Sequence, residues 1–327
     1  MRFVRYIFAV VFVAVVGTAA AAEREVSIPC AWGNISATLA LPDEECSTAV
    51  VIVAGSGPTD RNGNSGFNLN TYSYKLLSDE LVARGCAVLR YDKRGVGQSV
   101  MAREEYADVV FDDFVDDAAR CVAFLHDEGF ERVVVAGHSE GGRIALELGA
   151  REGSGVDGLV LLATAGYGID TILLRQLSAQ LMPTYIGLML RATDIINRLK
   201  RGERVAEENI PKELISLFHP NVQSFLISSM EGDPCEVAGR CNCPMLIISG
   251  GRDIQVAVDN GEALARAVPD ARHIVFERMS HVLKDSASEE RMEQLVEVYT
   301  NPSLPLTEGL ADAIAEFLAL DNYKPTK

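Results

Sequence analysis

The sequence is short of positive charge. Its 327 residues carry 30 Lys+Arg against 46 Asp+Glu, a formal charge of −16. A phosphate backbone is bound through a basic footprint, so no nucleic acid is expected as a main partner. A neutral or cationic small molecule is easier to attract than a polyanion. Long apolar runs are also missing: after the first 22 residues none approaches the ~20 residues of a spanning helix. Histidine is scarce, with five in the whole chain, so few side chains can exchange a proton near neutral pH. Aromatic residues make up only 7%, but 48% of the chain is hydrophobic, which excludes a disordered polymer. A chain this long can bury a large core without staples.

Residues 1–22 form a separate unit. Arg2 and Arg5 make a positive head, Tyr6–Val16 an apolar run, and Ala20, Ala21 and Ala22 a small-residue end. This is the three-part pattern of a secretory signal peptide. The run is too short to span a bilayer. The expectation is therefore cleavage near Glu23, no stable membrane anchor afterwards, and a protein that is periplasmic or secreted. All seven cysteines follow that point, and an odd count leaves at least one thiol unpaired within the chain. Cys86 and Cys121 sit in apolar segments and read as buried thiols. Cys235, Cys241 and Cys243 crowd a polar stretch, where a local disulfide is expected. No fourth ligand stands at a zinc-finger spacing, so no metal is expected.

From Val26 onward strand-like and helix-like segments alternate. Val26–Pro29 and Ile35–Leu41 flank a Trp-Gly-Asn turn and predict a hairpin. Ala49–Ala54 is a β-branched run of the kind buried on both faces of a sheet. A helical stretch over 68–84 stops at Gly85, and Cys86–Tyr91 reads as the next strand. Phe114, Ala118, Cys121, Val122 and Leu125 mark one helix face. The acids Asp112, Asp113, Asp116 and Asp117 sit at that helix's start, where the macrodipole favours them. Val133–Ala136, Gly158–Ala163, Met245–Ser249 and His273–Phe276 continue the strand series, and Leu310–Leu318 closes it as an amphipathic helix. The pattern predicts an α/β fold with a mostly parallel sheet and helices on both faces. Residues 166–243 lack a buried strand and are too long for a loop. They predict a helical cap inserted between core segments 23–165 and 244–327.

The chemistry concentrates at Val133–Gly142, which reads Val-Val-Val-Ala-Gly-His-Ser-Glu-Gly-Gly. This is G-x-S-x-G placed where a strand ends and a helix begins. So tight a turn projects the Ser139 hydroxyl above the sheet edge and needs glycines to relieve crowding. Two other motifs precede it: Gly55-Ser56-Gly57-Pro58-Thr59-Asp60-Arg61-Asn62-Gly63, and Asp92-Lys93-Arg94-Gly95-Val96-Gly97-Gln98-Ser99. The first lacks the G-K-[ST] ending of a phosphate loop. With Gly137–Gly142 these motifs make the chain resemble the α/β-hydrolases, and among them a bacterial serine-esterase group. The resemblance runs from about Ala49 to the C-terminus and is weakest across the cap.

The resemblance implies a Ser–Asp–His order of catalytic groups. It places the base on a loop after the last strand, where His281 stands. His126 and His273 fall in predicted elements, His219 in the cap, and His138 beside the turn. The acid should follow the penultimate strand, which selects Asp253 over Asp259. Backbone N–H groups should hold the developing oxyanion. By alignment with the family's usual loop they are those of Glu140 and Ser56, with Gly57 as a substitute for the latter. Asp60, Arg61, Asp92 and Arg94 read as ion pairs and turn contacts that shape the two loops. The implied activity is hydrolysis of a small carboxylic ester through an acyl-enzyme, with no cofactor. A peptidase, an amidase, an acyltransferase or a non-catalytic binding module on the same scaffold stay open as alternatives. Haloalkane and epoxide chemistry needs a carboxylate where Ser139 stands.

Overall fold

The computed structural model describes residues 22–66 and 69–319. The expected export segment lies outside them, except Ala22, which opens the first strand. Strands β1 (Ala22–Cys30) and β2 (Gly33–Leu41) pair as an antiparallel hairpin, Cys30 opposite Gly33. β1 is longer than its hydrophobic signal because it is an edge strand with most residues exposed. Six further strands complete the main sheet: β3 (Thr48–Val53), β4 (Ala87–Tyr91), β5 (Arg132–His138), β6 (Gly158–Leu162), β7 (Met245–Gly250) and β8 (Arg272–Phe276). The sheet order is β1-β2-β4-β3-β5-β6-β7-β8, with β4 through β8 parallel and β2 antiparallel to β4.

The β-branched runs fold this way because both of their faces are covered. Val51 and Val53 of β3 join the core on one side, and Val50 and Ile52 join the core on the other. That is the period-2 alternation of a pleated strand. Helices α1 (Ser73–Val82) and Leu310–Leu318 cover one face through Leu77, Leu81, Ile314 and Phe317. Helices α2 (Phe111–Asp127) and α3 (Glu140–Gly149) cover the other through Val115, Val122, Leu125 and Ile144.

The interval 166–243 holds α4 (Ile169–Leu181), α5 (Ile186–Lys200) and several short turns of helix. Leu173, Ile195, Ile196, Leu199 and Phe218 form a separate apolar cluster there. The end of the interval behaves differently. Val237 and Ala238, from Pro234–Ala238, pack into the main core beneath the sheet. The expected local disulfide is not formed: Cys235, Cys241 and Cys243 are free thiols. Cys235 Sγ donates to the Gly166 carbonyl and Cys241 Sγ to that of Leu146, so each sulfur is engaged by backbone instead.

Strand order reverses between β3 and its neighbours, because β4 lies on one side and β5 on the other. Such a switch point opens a crevice at the carboxyl ends of parallel strands. Val53 sits opposite Gly137, and Ile52 opposite Arg90. The residues just past each strand, 54–56, 92–94 and 138–140, are therefore neighbours along one edge.

Candidate active site

Ser139 is built on strain. It caps α3 with φ 54° and ψ −117°, a conformation costly for any residue with a side chain. Its N–H donates to the Leu162 carbonyl at 2.8 Å, and its own carbonyl accepts from Gly142 at 3.0 Å. The glycines around it are required by contact. A Cβ at Gly137 would lie 2.2 Å from the Gly141 carbonyl oxygen, and one at Gly141 would lie 2.2 Å from that of Val53. A Cβ at Gly142 would strike the Thr164 hydroxyl at 1.9 Å. No backbone could make this turn here with larger residues.

His281 follows β8 in a compact loop. Ser280 N–H donates to Lys284 O, and Leu283 holds φ 64°. The Ser73 hydroxyl pins the loop from α1 by donating to the Val282 carbonyl at 2.6 Å. The His281 ring is buried, and its Nδ1 lies 2.8 Å from Oδ2 of Asp253. The Asp253 carboxylate is wholly buried. Its other oxygen accepts from the N–H groups of Gln255 (2.7 Å) and Val256 (2.8 Å). Acceptance on both oxygens fixes the carboxylate and places a proton on His281 Nδ1, so that in the neutral ring Nε2 is the acceptor. The sequence-predicted Asp253 and His281 are thus brought together. Asp259 instead pairs with Arg175 at 2.8 Å.

Ser139 and His281 line one pocket of about 170 Å³, together with Ser56, Thr59, Thr71, Tyr74, Gln255, Val282 and Tyr299. The Ser139 hydroxyl forms no hydrogen bond among the described residues. Nucleophile and base contacts commonly tighten only around a bound substrate. Ser56, on the loop after β3, faces the same pocket. Among the described residues the Ser56 and Glu140 N–H groups have no protein acceptor. Both are available to a ligand oxygen.

Three groups at the site were not assigned by sequence reasoning. His138 is no bystander. Its Nδ1 lies 2.7 Å from the Tyr74 hydroxyl, and its Nε2 lies 2.7 Å from the His281 carbonyl oxygen. The carbonyl can only accept, so Nε2 donates and Nδ1 accepts from Tyr74, whose oxygen in turn accepts from Gly55 N–H at 3.0 Å. Burial first, then the His281 ring nearby, pushes the His138 pKa down to about 3. It is a neutral spacer between two loops. Tyr74 is held protonated by burial. The third group, Lys93, reaches the Gly55 carbonyl and the Glu140 carboxylate. Only contacts between distant segments reveal these roles.

The loop-shaping pairs lie outside this ring. Arg61 meets Asp92 at 2.8 Å, Arg94 meets Asp117 at 2.7 Å, and Asp60 accepts from the N–H groups of Asn62 and Asn64. The partner of Arg94, Asp117, stands in the acid run at the start of α2 and is itself buried.

The sheet order, the serine elbow and the paired Asp253 and His281 define an α/β-hydrolase fold. Residues 64–285 match the family described as serine aminopeptidase, S33, and the chain belongs to that hydrolase family. It is similar to Esterase EstD of Thermotoga maritima, with 29% identity over 72% of this chain. The chain spans about half of that relative's length, 54%. Among solved structures, Est1E from Butyrivibrio proteoclasticus with ferulic acid bound superposes with a TM-score of 0.57 at 18% identity, covering 90% of this chain and 97% of the other. A proline iminopeptidase from Mycobacterium smegmatis superposes with a TM-score of 0.58 at 17% identity over the same shares. At these identities the two structures speak to the fold alone.

Proposed function

We propose that this chain hydrolyses small carboxylic esters by acyl transfer to Ser139. The observation that carries the reading is a serine on a strained elbow sharing one pocket with a histidine whose far nitrogen is fixed by a buried carboxylate. In this reading His281 Nε2 takes the Ser139 proton as Oγ attacks the ester carbonyl carbon. The Ser56 and Glu140 N–H groups receive the carbonyl oxygen as it gains charge. His281 returns the proton to the leaving alcohol. Water, deprotonated by the same nitrogen, then releases the acid and regenerates Ser139. Asp253 holds the ring and stabilises it when protonated.

The pocket lining favours an ester over an aminoacyl substrate. An aminopeptidase must hold an α-ammonium, which calls for a carboxylate at the pocket wall. Among the described residues the lining offers Ser, Thr, Gly, Leu, Val, Tyr, Gln and His side chains and no carboxylate. A pocket of about 170 Å³ suits a short acyl group. The relative named an esterase supports the same reading. Residues 166–243 are read as a helical cap inserted in the sheet domain, and residues 1–22 as the export signal. An N-terminal mass starting near Glu23 on exported protein would test the latter.

The central test is Ser139→Ala assayed on p-nitrophenyl acetate. Hydrolysis is expected to fall by at least about 1000-fold with the thermal melt retained. A fluorophosphonate probe is expected to label the native chain at Ser139 and not the variant. Activity retained in Ser139→Ala would defeat the proposal. Turnover of aminoacyl-nitroanilides without turnover of the acetate would replace ester by amide as the substrate class.

A further inference from the structure

We propose that Lys93 is a positioning residue for the oxyanion site, holding and polarising the peptide unit that donates from Ser56. The inference rests on the acyl-transfer reading above and deepens it. Its basis is the path of two short contacts. Lys93 Nζ donates to the Gly55 carbonyl oxygen at 2.6 Å. That carbonyl belongs to the same amide as the Ser56 N–H. An amide whose oxygen accepts from a cation is a stronger donor at its nitrogen, because the two polarise together. Lys93 therefore acts on the donor from behind, without touching the substrate.

The second contact ties in the other donor. Lys93 Nζ lies 2.9 Å from Oε1 of Glu140, whose backbone N–H is the partner donor. One ammonium thus spans the two segments that converge on the oxyanion position. The pair is shielded from solvent: side-chain exposure is 3% for Lys93 and 13% for Glu140. The Phe114 ring, 5.5 Å away, forms part of the enclosure. In such a setting a charge acts with little screening. Gly55 is held on its other side too, since its N–H donates to Tyr74. The loop cannot tilt its Ser56 N–H away from the pocket without breaking one of these bonds. The β3–β4 register that sets Ile52 opposite Arg90 carries Lys93 to Gly55.

Polarisation of a donor matters when charge builds on the acceptor, so it should appear in kcat and not in ground-state binding. The experiment compares the native chain, Lys93→Met and the double variant Lys93→Met/Glu140→Gln. The double variant removes the carboxylate that Lys93→Met leaves unpaired, so it decides the case if the single variant does not fold. Three quantities are read: kcat and KM on p-nitrophenyl acetate, the affinity of a short alkyl trifluoromethyl ketone, and the infrared stretch of the acyl-enzyme carbonyl.

In both variants kcat is expected to fall roughly 10- to 100-fold, less than the ~100- to 1000-fold that follows loss of a whole donor. KM should stay within about threefold. Ketone affinity should fall by the same factor as kcat, and the acyl carbonyl stretch should move to higher frequency. Recovery of native kcat in the double variant would overturn the proposal, because a merely structural pair is satisfied once both charges are gone. So would an unmoved carbonyl stretch. If Ser139→Ala stays inactive while Lys93→Met keeps native kcat, the role of Lys93 alone is lost. If Ser139→Ala is active, the acyl-enzyme reading fails first and takes this one with it.

Discussion

Single side chains at this site are fixed by the saturation of their hydrogen-bonding capacity. Asp253 is the clearest case: one oxygen accepts from His281, the other from two backbone N–H groups. Asp253→Asn keeps the shape but offers an NH₂ where an acceptor is needed, turning the imidazole to the wrong tautomer. A kcat loss of roughly 10³- to 10⁴-fold is expected on p-nitrophenyl acetate, with KM little changed and the fold retained. A loss under tenfold would mean that the histidine does not need its orienting acid. His138 makes a second prediction at this scale. Burial pushes its folded pKa down to about 3, whereas an unfolded histidine titrates near ~6.5. Between those values the unfolded chain binds the extra proton, so folding weakens as pH falls from about 6.5 toward 3. His138→Gln has nothing to protonate. Thermal melts between pH 7 and pH 4 should show a shallower decline in that variant than in the native chain. Parallel declines would remove His138 from the acid sensitivity.

At the scale of elements, the glycines of the elbow separate packing from flexibility. Gly141→Ala drives a methyl group into the carbonyls of Val53 and Ala54, at 2.2 and 2.7 Å. Backbone cannot step aside there, and a loss of at least about 1–3 kcal/mol in chemical unfolding is expected. Gly187 in α5 has open space around its would-be Cβ. Gly187→Ala should therefore gain about 0.5 kcal/mol from the chain entropy alone. Equal effects at the two positions would contradict the contact argument. These elements also show what a sequence carries. The central strands were legible because burial on both faces leaves unbroken β-branched runs such as Val133–Val135. The serine elbow was legible because its glycines are demanded within a few residues of one another. The pairing of Leu69–Asn70 with Asn64–Ser65, which delays α1 to Ser73, has no apolar pattern to announce it. Arg291–Tyr299, a short helix passing into a π turn, escaped for the same reason, since Met292 and Val296 face solvent. Lys93 and Tyr74 meet Gly55 only through inter-strand register and helix packing, which connect segments far apart in the chain.

At the scale of the whole molecule, the N-terminal hairpin is more than an edge. Its first strand supplies carboxylates to two buried arginines that sit close to the site's loops. Glu23 pairs with Arg90, a side chain 1% exposed near the end of β4, and Glu25 pairs with Arg61 at 2.7 Å. The two arginines are not equivalent. Arg61 also holds Asp92, so it keeps a buried counter-charge if Glu25 is lost. Among the described residues the other hydrogen-bond partners of Arg90 are the neutral oxygens of Asn62 and Arg61. Removing the Glu23 charge should therefore cost more than removing that of Glu25. Burial raises the worth of the Arg90 pair, and the partial exposure of Glu23 lowers it. Glu23→Gln is expected to lose about 1–2 kcal/mol in chemical unfolding, and Glu25→Gln under about 1 kcal/mol. Glu23 is also the residue at which we propose that a processed chain would begin. A cleavage two or three residues further on would strip Arg90 of its counter-charge in every molecule. A chain started at Val26 should melt below one started at Glu23, by more than the single Glu23→Gln change does, because the Arg24 contact with Glu128 and the first ladder bonds of β1 go with it. Identical melting of the two chains would show that the start of the sheet carries none of the stability assigned to it.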